Sequence, residues 1–254
     1  MLRNKTLILT GASRGIGRAL ALALARRGVR LVLCARDALP LEETRKDCQA
    51  LAIEALGPGE HVLAVAGDAA DDAVVRALVD RAEGLGAYFG FIHAAGVLLP
   101  GPTLWELDDA DFDAVVGAGL RAAWRLVQRG APPLLRRGAG LCVFFGSGAA
   151  QRALPGLGLY CAAKAAEEHL ARQLAAEAPA LTTFVYRPGV VATRMQEQAR
   201  QAEGGAGEAV RRFFTPYLER GQLLTPAGAA AGLLRYLDGD WSRLRGATVD
   251  VRDL

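Results

Sequence analysis

Short apolar runs alternate with longer stretches of helical periodicity from one end of the chain to the other. The apolar runs, bounded by glycine or polar turn residues, predict strands at 6–10, 30–35, 61–66, 90–93, 140–146, 181–187 and 246–251. Between them, apolar positions at helical spacing predict helices at 14–27, 38–56, 71–85, 108–135, 158–178 and 226–238. Strands such as Leu141-Cys-Val-Phe-Phe145 are apolar without alternation. Such runs belong to parallel sheets whose two faces are both covered by helices. The pattern therefore predicts one α/β domain over residues 1–254, built on a doubly wound parallel sheet of about seven strands. Residues 194–225 break the rhythm: Gly204-Gly-Ala-Gly207 interrupts a polar helical pattern, and Phe213, Phe214 and Tyr217 follow. In doubly wound sheets ligands bind beyond the carboxyl edge, where this segment falls, so it is expected to form a mobile substrate lid.

Composition narrows the function classes. With 254 residues, 52% hydrophobic and 22% charged, the chain can bury a large core in a single domain. The formal net charge is only +3, and the basic residues are dispersed, with pairs such as Arg26-Arg27, Arg136-Arg137 and Arg211-Arg212. That distribution argues against a nucleic-acid surface. Cys34, Cys48, Cys142 and Cys161 show no Cys-x-x-Cys spacing, and His61, His93 and His169 are scattered, so neither a disulfide framework nor a metal site is expected. No apolar run reaches membrane-spanning length, and Met1 to Lys5 lead straight into the first strand without a signal peptide, which predicts a cytoplasmic chain with no membrane partner.

Two local patterns carry candidate chemistry. The first apolar run, Thr6 to Thr10, is followed by Gly11-Ala-Ser-Arg-Gly15-Ile-Gly17 and an Ala/Leu-rich helical stretch. Glycines let the backbone turn tightly and approach a phosphate, and a helix start presents free N–H groups to it. Their order is Gly-x-x-x-Gly-x-Gly rather than the commoner Gly-x-Gly-x-x-Gly, and a glycine turn that simply packs a helix would read the same way. The second pattern is Tyr160-Cys-Ala-Ala-Lys164, which puts both side chains on one helix face a turn apart. A positive charge there favours tyrosinate and suits the phenol to proton transfer. The same spacing also occurs on solvated helices.

Thr10-Gly-Ala-Ser-Arg-Gly-Ile-Gly17, His93-Ala-Ala-Gly96, Ser147, Tyr160-x-x-x-Lys164 and Pro188-Gly-Val-Val-Ala-Thr193 together resemble the short-chain dehydrogenase/reductase family, in order and spacing, across essentially the whole chain. Ser147 precedes Tyr160 by 13 residues, the usual interval in that family. Leu159 to Ala166, Met195-Gln196 and Gly246 to Asp253 look most like its sepiapterin and bacterial benzil reductase members. The resemblance implies a Rossmann-type sheet, hydride transfer between a nicotinamide cofactor and a small-molecule carbonyl substrate, and a homodimer or homotetramer. It implies Tyr160 as general acid, Ser147 as the hydrogen-bond donor to the carbonyl oxygen, and Lys164 at the nicotinamide ribose. Cofactor contacts are implied for Gly11, Ser13, Arg14, Gly15, Ile16, Gly17, Arg36, Asp68, Ala95, Gly96, Pro188, Gly189, Val191 and Thr193, and substrate contacts for Leu154, Met195 and Asp250. Asp68 reads equally well as a helix cap, and Asp250 as the end of a strand at a subunit contact.

After the second strand the chain carries Leu33-Cys-Ala-Arg36 where an acidic residue would bind a ribose 2′-hydroxyl. Arg36, with Arg14 in the glycine turn, suits a 2′-phosphate instead, which favours NADPH; Asp37 keeps NAD open. Two departures stand out. Gly119 occupies the place of an asparagine that usually completes a proton relay, which leaves that role unfilled, and His93-Ala94 replaces two asparagines. His93 reads as a satisfied buried histidine. The readings that compete are a reductase of a small aromatic ketone, diketone or pterin side chain, a dehydrogenase of another alcohol such as a sugar, steroid or acyl chain, and a non-enzymatic nucleotide sensor.

Overall fold

The computed structural model describes residues 2–254 and contains one seven-stranded parallel sheet in the order β3-β2-β1-β4-β5-β6-β7. The strands are β1 (Thr6–Thr10), β2 (Arg30–Ala35), β3 (Val62–Ala66), β4 (Tyr88–His93), β5 (Gly140–Phe145), β6 (Leu181–Arg187) and β7 (Thr248–Asp250). Chain order reverses between β1 and β4, which opens a crevice at the carboxyl ends of those strands. The helices are α1 (Gly15–Arg26), α2 (Ala38–Leu56), α3 (Asp72–Gly84), α4 (Asp109–Val116), α5 (Ala122–Arg137), α6 (Gly158–Glu177), α7 (Arg194–Arg200), α8 (Gly207–Glu219) and α9 (Pro226–Asp238).

The unbroken apolar strands are explained by a core on each face. Along β5, Leu141, Val143 and Phe145 belong to one cluster, while Cys142 and Phe144 belong to the other. The same alternation divides Leu7 and Leu9 from Ile8, and Leu31 and Leu33 from Val32. A strand buried on both sides needs apolar residues at every position, because its side chains point alternately to opposite faces. Residues of α1, α2 and α9 close the first face, and residues of α3, α5 and α6 close the second.

Three segments differ from the sequence expectation. The helix expected at 108–135 divides into α4 and α5 around a π-helical turn at Gly117–Arg121, where Gly117 and Gly119 weaken the regular ladder. The last strand shortens to three residues because Asp250 caps a following 3-10 turn. Segment 194–225 contains two helices, α7 and α8, which cover a small third cluster of Leu98, Leu157, Ala199, Ala202 and Val210.

Phe144 is fully buried and meets Phe91 edge-on at 5.6 Å between ring centres. Phe144→Ala should therefore lower the unfolding free energy by about 3–5 kcal/mol in urea titrations, whereas a change within a few tenths of a kcal/mol would contradict this account of the second core.

Candidate active site

The glycine turn after β1 is required by close packing. Gly11 has φ +71°, and a Cβ on it would meet the Ala94 carbonyl carbon and oxygen at 2.8 Å. A Cβ on Gly17 would stand 2.1 Å from the carbonyl oxygen of Gly11. Gly15 begins α1, and its position faces Thr193, whose Cγ2 lies 3.4 Å from where a Cβ would be. Ser13 is buried in the turn. No side chain caps α1 at Arg14, so the helix keeps unpaired N–H groups and its positive dipole end for an anion. These features fit a dinucleotide phosphate at the crevice between β1 and β4.

The corner beside β2 differs from expectation in one respect. Arg36 is exposed, but Arg14 forms an ion pair with Asp37 rather than standing free beside it. The extended backbone at Asp37 brings its carboxylate back to the glycine turn, so one of the two guanidinium groups is already paired at the surface. Asp68 is exposed beyond β3, where it accepts the Ala70 N–H at 2.8 Å and stabilises a turn. The cap of α3 is Asp71, which accepts from Ala73.

A cavity of about 230 Å³ opens at the carboxyl edge of the sheet. Ile16, Ala95 and Gly96 line it from the β1 and β4 side. Ser147, Tyr160 and Lys164 line it from the β5 and α6 side. Pro188, Gly189, Val191 and Thr193 enter after β6, and Leu154, Met195 and Asp250 complete the wall. Gly11, Ser13, Arg14, Gly15, Gly17, Arg36 and Asp68 lie outside this cavity, at or beyond the glycine turn and along the adjoining strand ends. Phe213, Phe214 and Tyr217 of α8 reach the cavity from segment 194–225, with the two phenylalanine rings edge-on at 4.9 Å. Asp250 is nearly buried, and Arg252 holds its carboxylate through Nε at 2.7 Å and through its backbone N–H at 3.0 Å. That contact holds the Asp250 carboxyl below the usual aspartate value, Arg252 acting against a smaller opposing effect of burial.

Behind the cavity, α6 carries two buried carboxylates. Lys164 Nζ donates to the Phe145 carbonyl at 2.7 Å and to Glu167 Oε2 at 2.8 Å. Burial alone would lower the Lys164 value, but Glu167, Tyr160 and Glu168 outweigh it and hold the ammonium above the ordinary lysine range. Burial raises the Glu167 carboxyl while Lys164 opposes the rise. Glu168 accepts from Arg187 Nε at 2.9 Å and from the backbone N–H of Ser147 at 3.1 Å, which ties the serine loop to β6. Arg187 also donates to Gln151 Oε1 at 2.8 Å.

His93 is a satisfied buried histidine. Its Nε2 donates to the Gly119 carbonyl at 3.0 Å, because a carbonyl only accepts, and so its Nδ1 accepts from Thr10 Oγ1 at 2.8 Å. Burial, then the charge of Lys164, push its pKa from 6.5 to about 3, so the ring is neutral.

Glu167, Glu168 and Arg187 did not figure among the expected site residues. The usable signal was spacing: Glu167 follows Lys164 by three positions, which places a carboxylate one turn away on the lysine's own face. At Gly119, where no side chain offers a relay group, Glu167 Oε2 lies 3.5 Å from where a Cβ would be.

The family model for short chain dehydrogenases matches residues 5–204. The chain belongs to the short-chain dehydrogenase/reductase family. It is 29% identical over 192 residues to an NADPH-dependent pterin aldehyde reductase of Arabidopsis thaliana, covering 75% of this chain and 76% of that one. It is 35% identical over 184 residues to an uncharacterised NAD-dependent oxidoreductase of Mycobacterium tuberculosis, covering 69% and 66% of the two chains. Its fold matches that of the KRED1-Pglu enzyme with a TM-score of 0.83 at 30% identity, over 96% of this chain and 100% of that one. The protein is therefore an oxidoreductase with a family nicotinamide cofactor, and the sensor reading falls away. Among the described residues, no helix is long and apolar enough to cross a membrane.

The neutral His93 makes stability depend on pH. Its folded value lies below its unfolded one, so the unfolded chain binds the extra proton, and stability falls as pH drops from about 6.5 toward about 3. His93→Gln should flatten this slope by up to about 1.4 kcal/mol per pH unit in urea unfolding across that window. An unchanged slope would mean that His93 does not carry the effect.

Proposed function

We propose that the chain is an NADPH-dependent carbonyl reductase acting on a small aromatic ketone, diketone or pterin side-chain carbonyl. The observation that carries this reading is the single cavity shared by Ser147, Tyr160 and Lys164, by the residues after β6, and by the aromatic face of α8. When bound, the nicotinamide supplies the hydride. Gly11, Ser13, Arg14, Gly15 and Gly17 would hold its phosphates at the start of α1. Arg36 would take the 2′-phosphate, Asp68 would meet the adenine, and Ile16, Ala95, Gly96, Pro188, Gly189, Val191 and Thr193 would line the remainder.

Ser147 donates a hydrogen bond to the substrate oxygen, and Tyr160 delivers a proton to that oxygen as negative charge develops on it. The Lys164 ammonium favours the tyrosinate left behind and so lowers the cost of giving up the proton. Segment 194–225 acts as a substrate lid, in which Met195, Phe213 and Phe214, facing Leu154, exclude water and receive a flat ring. The pterin reading draws support from the pterin aldehyde reductase among the relatives. Against it, Arg252 already occupies the Asp250 carboxylate, and the ring's N–H donors would have to displace that guanidinium. Exposed Trp105, Phe112 and Trp124 around α4 and α5 are the surface that a homodimer or homotetramer would cover, and a cytoplasmic setting completes the reading.

Purified protein should oxidise NADPH in the presence of at least one member of a panel comprising sepiapterin, benzil, acetoacetyl esters and keto-steroids. Tyr160→Phe should abolish that turnover while NADPH still binds. Brisk turnover of benzil without sepiapterin would select the diketone, turnover of the esters or steroids alone would move the enzyme to another substrate class, and wild-type rates in the Phe variant would remove Tyr160 from the mechanism.

Cofactor choice gives a separate test. NADPH should bind at least about tenfold tighter than NADH, a difference of about 1.4 kcal/mol, and Arg36→Asp should narrow or reverse the preference. Equal affinities in the unmodified protein, measured by fluorescence titration, would reject the assignment of Arg36.

A further inference from the structure

Glu167 is fully buried, and only one of its two carboxylate oxygens has a hydrogen-bond partner. Oε2 receives Lys164 Nζ at 2.8 Å, while Oε1 has no hydrogen-bond partner and lies 3.9 Å from His93 Nε2, whose proton goes to the Gly119 carbonyl. A buried carboxylate normally satisfies both oxygens, so leaving one unpaired is costly and calls for a compensating use. Residue 119, on the π-helical turn between α4 and α5, faces this carboxylate: Oε2 lies 3.5 Å from where a Cβ would stand, an ordinary contact.

We propose that Glu167 is a positioning residue for the reaction: its carboxylate fixes Lys164 as a charged ammonium directed at the cavity, and it acts on Tyr160 through that charge. The inference rests on the roles of Tyr160 and Lys164 proposed above. Without a counterion, a buried lysine is driven by desolvation toward its neutral form and loses its influence on a neighbouring phenol. Burial is the largest influence on Lys164, and it acts against the charge. The ionisable groups around the pair are few. Tyr160 and Glu168 share α6 with it, His93 faces it from β4 and stays neutral, and Arg187 faces it from β6 with its charge taken up by Glu168. Glu167 is thus the only one of these groups that hydrogen-bonds the Lys164 ammonium.

The test uses the full chain without cofactor or substrate, so that failure of the substrate reading does not affect it. The ionisation of Tyr160 is obtained from ultraviolet tyrosinate absorbance as the difference between each protein and its Tyr160→Phe counterpart. In Glu167→Gln the transition should move up by about one pH unit or more, because the amide cannot hold the ammonium. In Lys164→Met, adding Glu167→Gln should produce no additional movement, since Glu167 acts through the lysine. Gly119→Ser serves if Glu167→Gln does not fold. Its Cβ makes only ordinary contact with Oε2, and its hydroxyl competes with Lys164 for that oxygen, so the transition should again rise, by less. An unmoved or lowered Tyr160 transition in a folded variant, or an additional shift in the double variant, would overturn the proposal.

Discussion

Charge burial on α6 is the constraint on which the site depends. Two carboxylates, Glu167 and Glu168, lie beneath the surface, and each is matched by a cation that also touches the cavity. An uncompensated charge at either position would cost several kcal/mol, so the matches leave little freedom to the groups that make them. Lys164 is held between Glu167 and the last carbonyl of β5, and Arg187 is held at the end of β6. The backbone at Ser147 is fastened to the same helix through Glu168. One helix therefore sets the positions of the tyrosine, the lysine and the serine loop together, on rigid elements rather than on mobile ones.

The sheet supplies the other half of the geometry. Reversal of strand order between β1 and β4 brings the glycine turn against Ala94, and the loop after β6 reaches back to Gly15 through Thr193. Cavity and crevice are thus one continuous edge, with the glycine turn and the uncapped start of α1 at one end and Ser147, Tyr160 and Lys164 at the other. Helices α7 and α8 close over a separate small apolar cluster, so their packing does not draw on the main core.

Much of this was legible in the sequence because it depends on periodicity. Strand runs and helix stripes are local signals, and Leu141 to Phe145 announced two covered faces before any contact was known. The Tyr160 and Lys164 pair was legible for the same reason, being a single-turn spacing. What escaped depends on contacts between distant segments. The π-helical turn at Gly117–Arg121 interrupts a pattern that reads as continuous helix, since two small residues give no stop signal as strong as proline. The partners of Glu167-Glu168 in an alanine-rich helix are out of reach of local pattern, since Arg187 is delivered from β6 only by the fold. Arg14 and Arg36 looked like two free cations, whereas only the fold shows Asp37 turned toward the first.

That contact between Arg14 and Asp37 alters how the corner beside β2 handles an incoming anion. A bare guanidinium adds its whole attraction to binding, but one already engaged offers only the difference between a new partner and the old. Occupancy there becomes an exchange, in which a released aspartate is part of the product state and must find water. On the proposed assignment, selectivity between two ligands that both displace Asp37 would then rest on Arg36, whose charge is exposed and free of any ion pair among the described residues. On that reading a single carboxylate turns two apparently equivalent arginines into a swap contact and a discriminator.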